Sequence, residues 1–223
     1  IFGSASLSGN ISLRDVAFNR NHGVQIGSHV DDNGGWESMG QALDAVGDVN
    51  GDGIDDVMVS AYRWDETTGD QNDNRGAVFV WYGSTTIGNT DLIVSHTGGN
   101  HTADVTFLGE NAGDQIGRSA SGAGDFDGDG NMDIIIGSEH FNSSQGAAYV
   151  VSGAVTGTHT LTVANAAVFV KLTGEAAGDA AGRWVGSAGN LDADASGTSD
   201  VLVGAKLADA GGTNSGAVYV VLG

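Results

Sequence analysis

Short apolar runs bounded by glycine and aspartate punctuate this chain, and none has a helical period. The runs DVMVSA (56–61), DIIIGS (133–138) and DVLVGA (200–205) are six residues long and mostly β-branched or small. Such runs predict strands. GAVFVWYG (76–83) returns as GAAYVVSG (146–153) and as GAVYVVLG (216–223), 70 residues later each time. AAVFVKLTG (166–174) is a further Val-rich run. No segment keeps a 3.6-residue apolar period for three turns without glycine, so no long helix is expected.

The runs belong to an internal repeat, the first thing to settle in any such chain. An acidic loop precedes each copy of the GAxxV strand: GDVNGDGIDD (47–56), GDFDGDGNMD (124–133) and GNLDADASGTSD (189–200). A third shared element is LGENAGDQIGRS (108–119) and LTGEAAGDAAGRW (172–184), with a less regular counterpart at 26–42. Each unit offers four short strands: one before the acidic loop, one after it, the GAxxV strand, and one ahead of the next Gly-Asp turn. Repeats of four antiparallel strands predict propeller blades. The phase divides the chain into the end of a preceding blade (1–35), two blades (36–107 and 108–171) and a blade lacking its last strand (172–223). The chain begins and ends at the same point of the repeat, with Ile as its first residue, and is read as a window cut from a longer array.

Composition narrows the partners. The 223 residues hold 38 Gly, no Pro and no Cys, and 8 Lys and Arg stand against 28 Asp and Glu, formally −20. Such a surface is a poor partner for nucleic acid. No apolar run approaches the ~20 residues of a spanning helix, so no membrane insertion is expected. An apolar content of 40% is enough for a core.

An acidic loop ahead of an apolar strand and a GAxYV strand resembles the FG-GAP repeats of integrin alpha-chain β-propellers and their bacterial relatives, over nearly the whole chain. The resemblance implies an all-β fold of four-stranded antiparallel blades, here a partial propeller or a segment of a longer array. It also implies calcium loops of the form D-x-D/N-x-D-G-x-x-D and an extracellular or cell-surface location. The family's Phe-Gly is replaced by Met39-Gly40, Ile116-Gly117 and Ala181-Gly182, and its Gly-Ala-Pro by Ser60-Ala61-Tyr62, Gly137-Ser138-Glu139 and Gly204-Ala205-Lys206.

Calcium takes six to eight oxygens, and donors at alternate positions of a loop can curl around it. The first loop offers Asp48, Asn50, Asp52, the carbonyl of Ile54 and Asp56. The second offers Asp125, Asp127, Asp129, the carbonyl of Asn131 and Asp133. Asp55 is expected to face solvent. The third loop allows two frames. Asn190, Asp192 and Asp194 lead in one, with Asp200 two residues late. Asp192, Asp194, Ser196 and Asp200 keep the spacing in the other, with Gly197 at the turn and the carbonyl of Thr198 as donor. Two formed Ca2+ sites and a degenerate third are expected, with a structural role.

No nucleophile elbow or phosphate loop is present, and His22, His29, His96, His101, His140 and His159 show no transition-metal spacing. The chain is read as non-enzymatic, with no catalytic residues. Trp81 is expected in the core, and Trp36 and Trp184 between blades. Trp64 is either a loop anchor or an exposed contact. Loops 62–75, 139–145 and 206–215 occupy the same place in each repeat yet differ in length and residues, which points to them for a protein or glycan ligand. Adhesion or recognition is the leading function. A structural filament or coat, built with further blades in cis or from a partner chain, and an accessory domain of a secreted hydrolase are the alternatives.

Overall fold

The computed structural model describes residues 25–28, 37–65, 73–85, 92–94, 103–193 and 195–223. Residues 1–24, most of the expected preceding blade, therefore lie outside the described residues, as do Trp36 and Asp194. Strand β1 (Ile26–Ser28) pairs in parallel with β5 (Leu92–Val94). The remaining strands form three sheets, one per repeat.

In the first repeat, β2 (Met39–Gly47), β3 (Asp56–Ala61), β4 (Ala77–Trp81) and β6 (Val105–Leu108) lie side by side and antiparallel. In the second, β7 (Ala120–Gly124), β8 (Asp133–Ser138), β9 (Ala147–Ser152) and β11 (Val168–Thr173) repeat that order. The third consists of β12 (Ala181–Gly189), β13 (Asp200–Ala205) and β14 (Ala217–Val221). The fold is thus all-β, with two four-stranded antiparallel blades and a three-stranded one, a partial propeller.

A strand not expected from the sequence joins the first two blades. β10 (Gly157–Thr160) leaves the second repeat and pairs in parallel with β6, making a fifth strand of the first sheet. β6 is the outer strand, and its free edge would present unpaired N–H and C=O groups. β10 covers it, and the Gly157 and Leu161 amides extend the pairing to the Asp104 and Leu108 carbonyls.

The blades pack face to face, because both faces of each central strand are apolar. Met58, Val78 and Val80 of the first blade meet Ile134, Ile136, Tyr149 and Val151 of the second, all fully buried. Ile135, Ala148 and Val150 on the second blade's other face meet Val201, Val203 and Val221 of the third. Gly182, at φ +77°, stands where a Cβ would overlap the Ala147 carbonyl, so glycine is required at that close approach. Among the described residues no strand packs on the far face of the third blade. Val218 and Val220, equivalent to the buried Val78 and Val80, are 70% and 45% exposed, and Trp184 beside them is 66% exposed. Trp184 therefore does not sit between described blades, contrary to expectation, because no described strand covers that face. Trp81 is core, and Trp64 is a buried anchor that meets Phe79 edge-on at 5.0 Å.

Candidate metal centre

Each acidic loop joins the first two strands of its blade, so all three loops lie at one edge of the sheets. The loops joining the second and third strands lie at the opposite edge.

In the first loop, Asp48 turns inward and its two oxygens accept from the Gly51 (2.8 Å), Asp52 (3.0 Å) and Gly53 (2.7 Å) amides. Asn50 Oδ1 accepts from the Asp52 amide and Asp52 Oδ1 from the Ile54 amide, both at 2.9 Å. The second loop repeats this design. Asp125 accepts from Gly128 and Gly130, Asp127 from Asp129, and Asp129 from Asn131. Backbone amides thus aim each side-chain oxygen. A carboxylate has about four lone-pair positions, so oxygens held this way retain capacity for a cation.

An aspartate closes each loop, at the ninth position in the first two and two residues later in the third. Asp56, Asp133 and Asp200 are all buried. Asp56 Oδ2 accepts from the Val49 amide at 2.9 Å and Oδ1 from the Gly83 amide at 2.7 Å. Asp133 accepts from Phe126 at 2.8 Å. Asp200 accepts from Leu191 at 2.6 Å and Gly223 at 3.1 Å. This amide-holding role of the closing Asp was not legible in the sequence. Burial pushes the Asp56 carboxyl upward, against the pull of the Gly83 and Val49 amides. Burial pushes Asp133 up to about 7, with Asp127 and Asp129 adding like charge and the Phe126 amide opposing.

Carboxylate oxygens of Asp125, Asp127 and Asp133 all lie within 4.8 Å of one another. Such a hard, all-oxygen set, with no sulfur or imidazole, suits Ca2+ better than a transition metal. Asp129 is outside that group. In the first loop an amide, Asn50, stands where Asp127 stands in the second, and its Nδ2 donates to Asp52 Oδ2 at 3.1 Å. Asp55 is exposed.

The third loop uses each of the two frames for one half. Leu191 donates to the closing Asp200 as Val49 and Phe126 do to theirs, and Ala193 takes the positive φ (+52°) of Gly51 and Gly128. That half follows the frame starting at Asn190. In the other half, Ser196 accepts from the Thr198 amide as Asp52 does from Ile54, and Gly197 has φ +77°. The two extra residues therefore lie between the halves. Asn190, Asp192 and Ser196 are exposed, and a hydroxyl replaces the third carboxylate.

Neighbouring loops are linked. The Met132 amide donates to the Asp48 carbonyl (3.1 Å), and the Ser199 amide to the Asp125 carbonyl (2.7 Å). The Asn131 side chain lies over Gly51, where an added Cβ would be 2.6 Å from its Oδ1.

A second polar constellation lies at the opposite edge. Glu139 is 4% exposed and meets Arg118, Arg183 and Lys206. Burial alone would raise its carboxyl; the Arg183 hydrogen bond and the three cations overcome that and hold it below the usual range. Arg118 and Arg183 occupy the same repeat position, after Gly117 and Gly182, a signal the sequence carried.

The family model for the FG-GAP repeat matches residues 39–81 and 117–151. Both segments run from the first strand of a blade through its acidic loop to its third strand. Integrin alpha-M of Mus musculus is 32% identical over 115 residues, covering 50% of this chain. The chain spans 8% of the length of that relative. With its blades and loops arranged as described, the chain carries FG-GAP repeats in its first two blades and has the all-β fold of a partial propeller.

Proposed function

We propose that the chain is a calcium-stabilised, extracellular recognition or adhesion module of a larger surface or secreted protein. The observation that carries the calcium part is the convergence of Asp125, Asp127 and Asp133, with the same hydrogen-bond design in the loop of the first repeat. Asp48, Asn50, Asp52, the Ile54 carbonyl and Asp56 would hold one ion. Asp125, Asp127, Asp129, the Asn131 carbonyl and Asp133 would hold a second. Asn190, Asp192, Ser196 and Asp200, with Asp194, would form the weaker third site. The ion would supply positive charge that offsets the repulsion among these carboxylates.

Recognition falls to the other edge, where loops 62–75, 139–145 and 206–215 differ between repeats; residues 66–72 of the first lie outside the described residues. The second loop carries a turn, Phe141–Ser144, in which Asn142, Ser143 and Ser144 all have positive φ (+47°, +60° and +59°). Three adjacent non-glycine residues in that region cost on the order of 1 kcal/mol each or more, and such strain clusters at functional sites. Replacing all three by glycine keeps the backbone while removing the side chains. We expect that variant to melt within about 3 °C of the parent and to lose capture on arrays of glycans and matrix proteins. Undiminished capture would remove the turn from the recognition surface.

The exposed far face of the third blade favours a second reading, assembly. Val218, Val220 and Trp184 match the kind of surface that another blade covers at both existing junctions. A further blade, in cis or from a partner chain, would bury it.

A further inference from the structure

The chain has 8 Lys and Arg in all, and three of them converge on one buried carboxylate. Glu139 Oε1 meets Arg118 Nη1 at 2.7 Å and Arg183 Nη1, while Oε2 meets Lys206 Nζ at 3.4 Å. One carboxylate cannot neutralise three cations. Two positive charges are in surplus, on a molecule whose net charge is −20. Arg63 adds another cation at the same edge: it and Arg118 flank the Tyr62 ring at 5.4 and 5.0 Å.

An inter-blade tie accounts for only part of this. Arg118 and Glu139 belong to the second blade and Arg183 and Lys206 to the third, so one ion pair would join them. Each guanidinium has five N–H donors, and the contacts made by Arg118 and Arg183 use one nitrogen each. Their side chains are 28% exposed, and Lys206 is 45% exposed. Glu139 fixes one nitrogen of each guanidinium, while Arg118 lies over the Tyr62 ring and Arg183 over the Trp184 ring at 5.0 and 5.6 Å.

A groove adjoins the cluster. It has a volume of about 430 Å³ and runs between the 111–114 turn and the 140–143 turn. His140 belongs to both, with Nε2 3.2 Å from Arg118 Nη1. Asn111, Asn142, Ser143, Phe141 and the buried Asp114 also line it, and Lys171 Nζ stands 3.7 Å from the centre of the Phe141 ring. Amide and hydroxyl groups suit a sugar. A peptide would call for an apolar anchor pocket or a free strand edge, and this groove is neither. The field of a chain at −20 opposes a dense polyanion, so a single acidic unit fits best.

We propose that the Arg118–Arg183–Lys206 cluster and the groove at His140–Ser143 bind the carboxylate of an isolated acidic sugar on a glycan. The assignment rests on the recognition reading above and names its ligand class. Arg118 and Arg183 would take the carboxylate through their outward N–H groups, in the paired geometry guanidinium favours. The groove would seat the pyranose ring.

The test uses the full chain in saturating calcium and two probes. One is an oligosaccharide ending in one glucuronate, the other the same oligosaccharide with that carboxylate reduced to an alcohol. The acidic probe is expected to bind at least tenfold tighter. The difference should vanish in Arg118→Gln/Arg183→Gln and shrink several-fold in 0.5 M salt. If the double variant does not fold, Lys206→Glu, at an exposed position, carries the test and should abolish the preference. Equal affinity for both probes, or a preference that survives these substitutions, overturns the proposal. So does preferential binding of a short acidic peptide, which would assign the cluster to a protein partner. Neutral glycans or proteins captured equally by the parent and the cluster variants would overturn the acidic-sugar assignment and leave recognition standing. Capture of nothing, with the substitutions only lowering the melting temperature, would end both and leave the cluster as an inter-blade tie.

Discussion

Chelation of calcium is expected to lower the melting temperature of this protein by about 10 °C. At 10 mM free ion, a site with a Kd of about 10⁻⁴–10⁻³ M, the range of extracellular modules, adds roughly 1.4–2.7 kcal/mol by mass action. Two such sites add roughly 3–5 kcal/mol. A chain of this size shifts by about 2–4 °C per kcal/mol. The physical source is local. In the second loop, Asp125, Asp127 and Asp133 crowd their oxygens within 4.8 Å, and in the first Asp48 and Asp52 add like charge to the raised Asp56. Without a cation, folding must bring these charges together. The loops also bond to one another through Met132 and Ser199, so losing order in one loosens its neighbours. Differential scanning fluorimetry in calcium and in excess chelator measures this directly. Coincident curves would remove the structural role of the ion.

Substituting Asp133→Asn is expected to change sign with the metal. Burial pushes its carboxyl up to about 7 in the folded chain, well above the usual carboxylate range. A raised carboxyl contributes stability that is present in full below the unfolded value and is lost as pH rises through the folded one. The metal-free protein is therefore expected to be more stable at pH 5 than at pH 8, with the change falling between about 4 and 7. Asparagine keeps an oxygen for the Phe126 amide and removes the buried charge. In chelator at pH 8 the variant should gain roughly 2 kcal/mol, about 5 °C. In calcium it should melt about 5 °C below the parent, because a charged ligand is gone. Asp133→Ala serves as the control: it orphans the Phe126 amide at a cost of about 1–3 kcal/mol and should destabilise in both conditions. If Asp133→Asn lowered the melting temperature equally with and without calcium, the residue would be a backbone staple alone.

The strands and blades were legible because their signals are local. DVMVSA, DIIIGS and DVLVGA are β-branched runs bounded by turn residues, and a 70-residue repeat places each beside its GAxxV partner. The acidic loops were legible because alternating oxygens and a sixth-position glycine form a short-range pattern. What escaped the sequence depends on distant partners. β10 is four residues, Gly157–Thr160, two of them threonine, with no apolar alternation; its place is set by the free edge of β6. The closing aspartates were expected to face a cation, and their bonds to Val49, Phe126 and Leu191 follow from burial at the strand start, which composition does not reveal. In the third loop, each sequence frame assumed one continuous register, while Leu191 and Ala193 follow one frame and Ser196 and Gly197 the other. Trp64 could have faced either way until the packing of Phe79 fixed it. Glu139 looked like a departure from a Gly-Ala-Pro pattern, and its role emerged only once Arg118 and Arg183, 65 residues apart, were brought to one point.

Equilibrium dialysis against calcium, with the bound ion counted per chain by atomic emission, tests the central claim most directly. At 5 mM free calcium the parent is expected to hold two ions firmly and a third in part. Asp127→Asn and Asp52→Asn should each remove about one, while Lys206→Glu, at the opposite edge, removes none. A parent chain that binds no calcium above the chelator control, or variants that bind as many ions as the parent, would contradict the account.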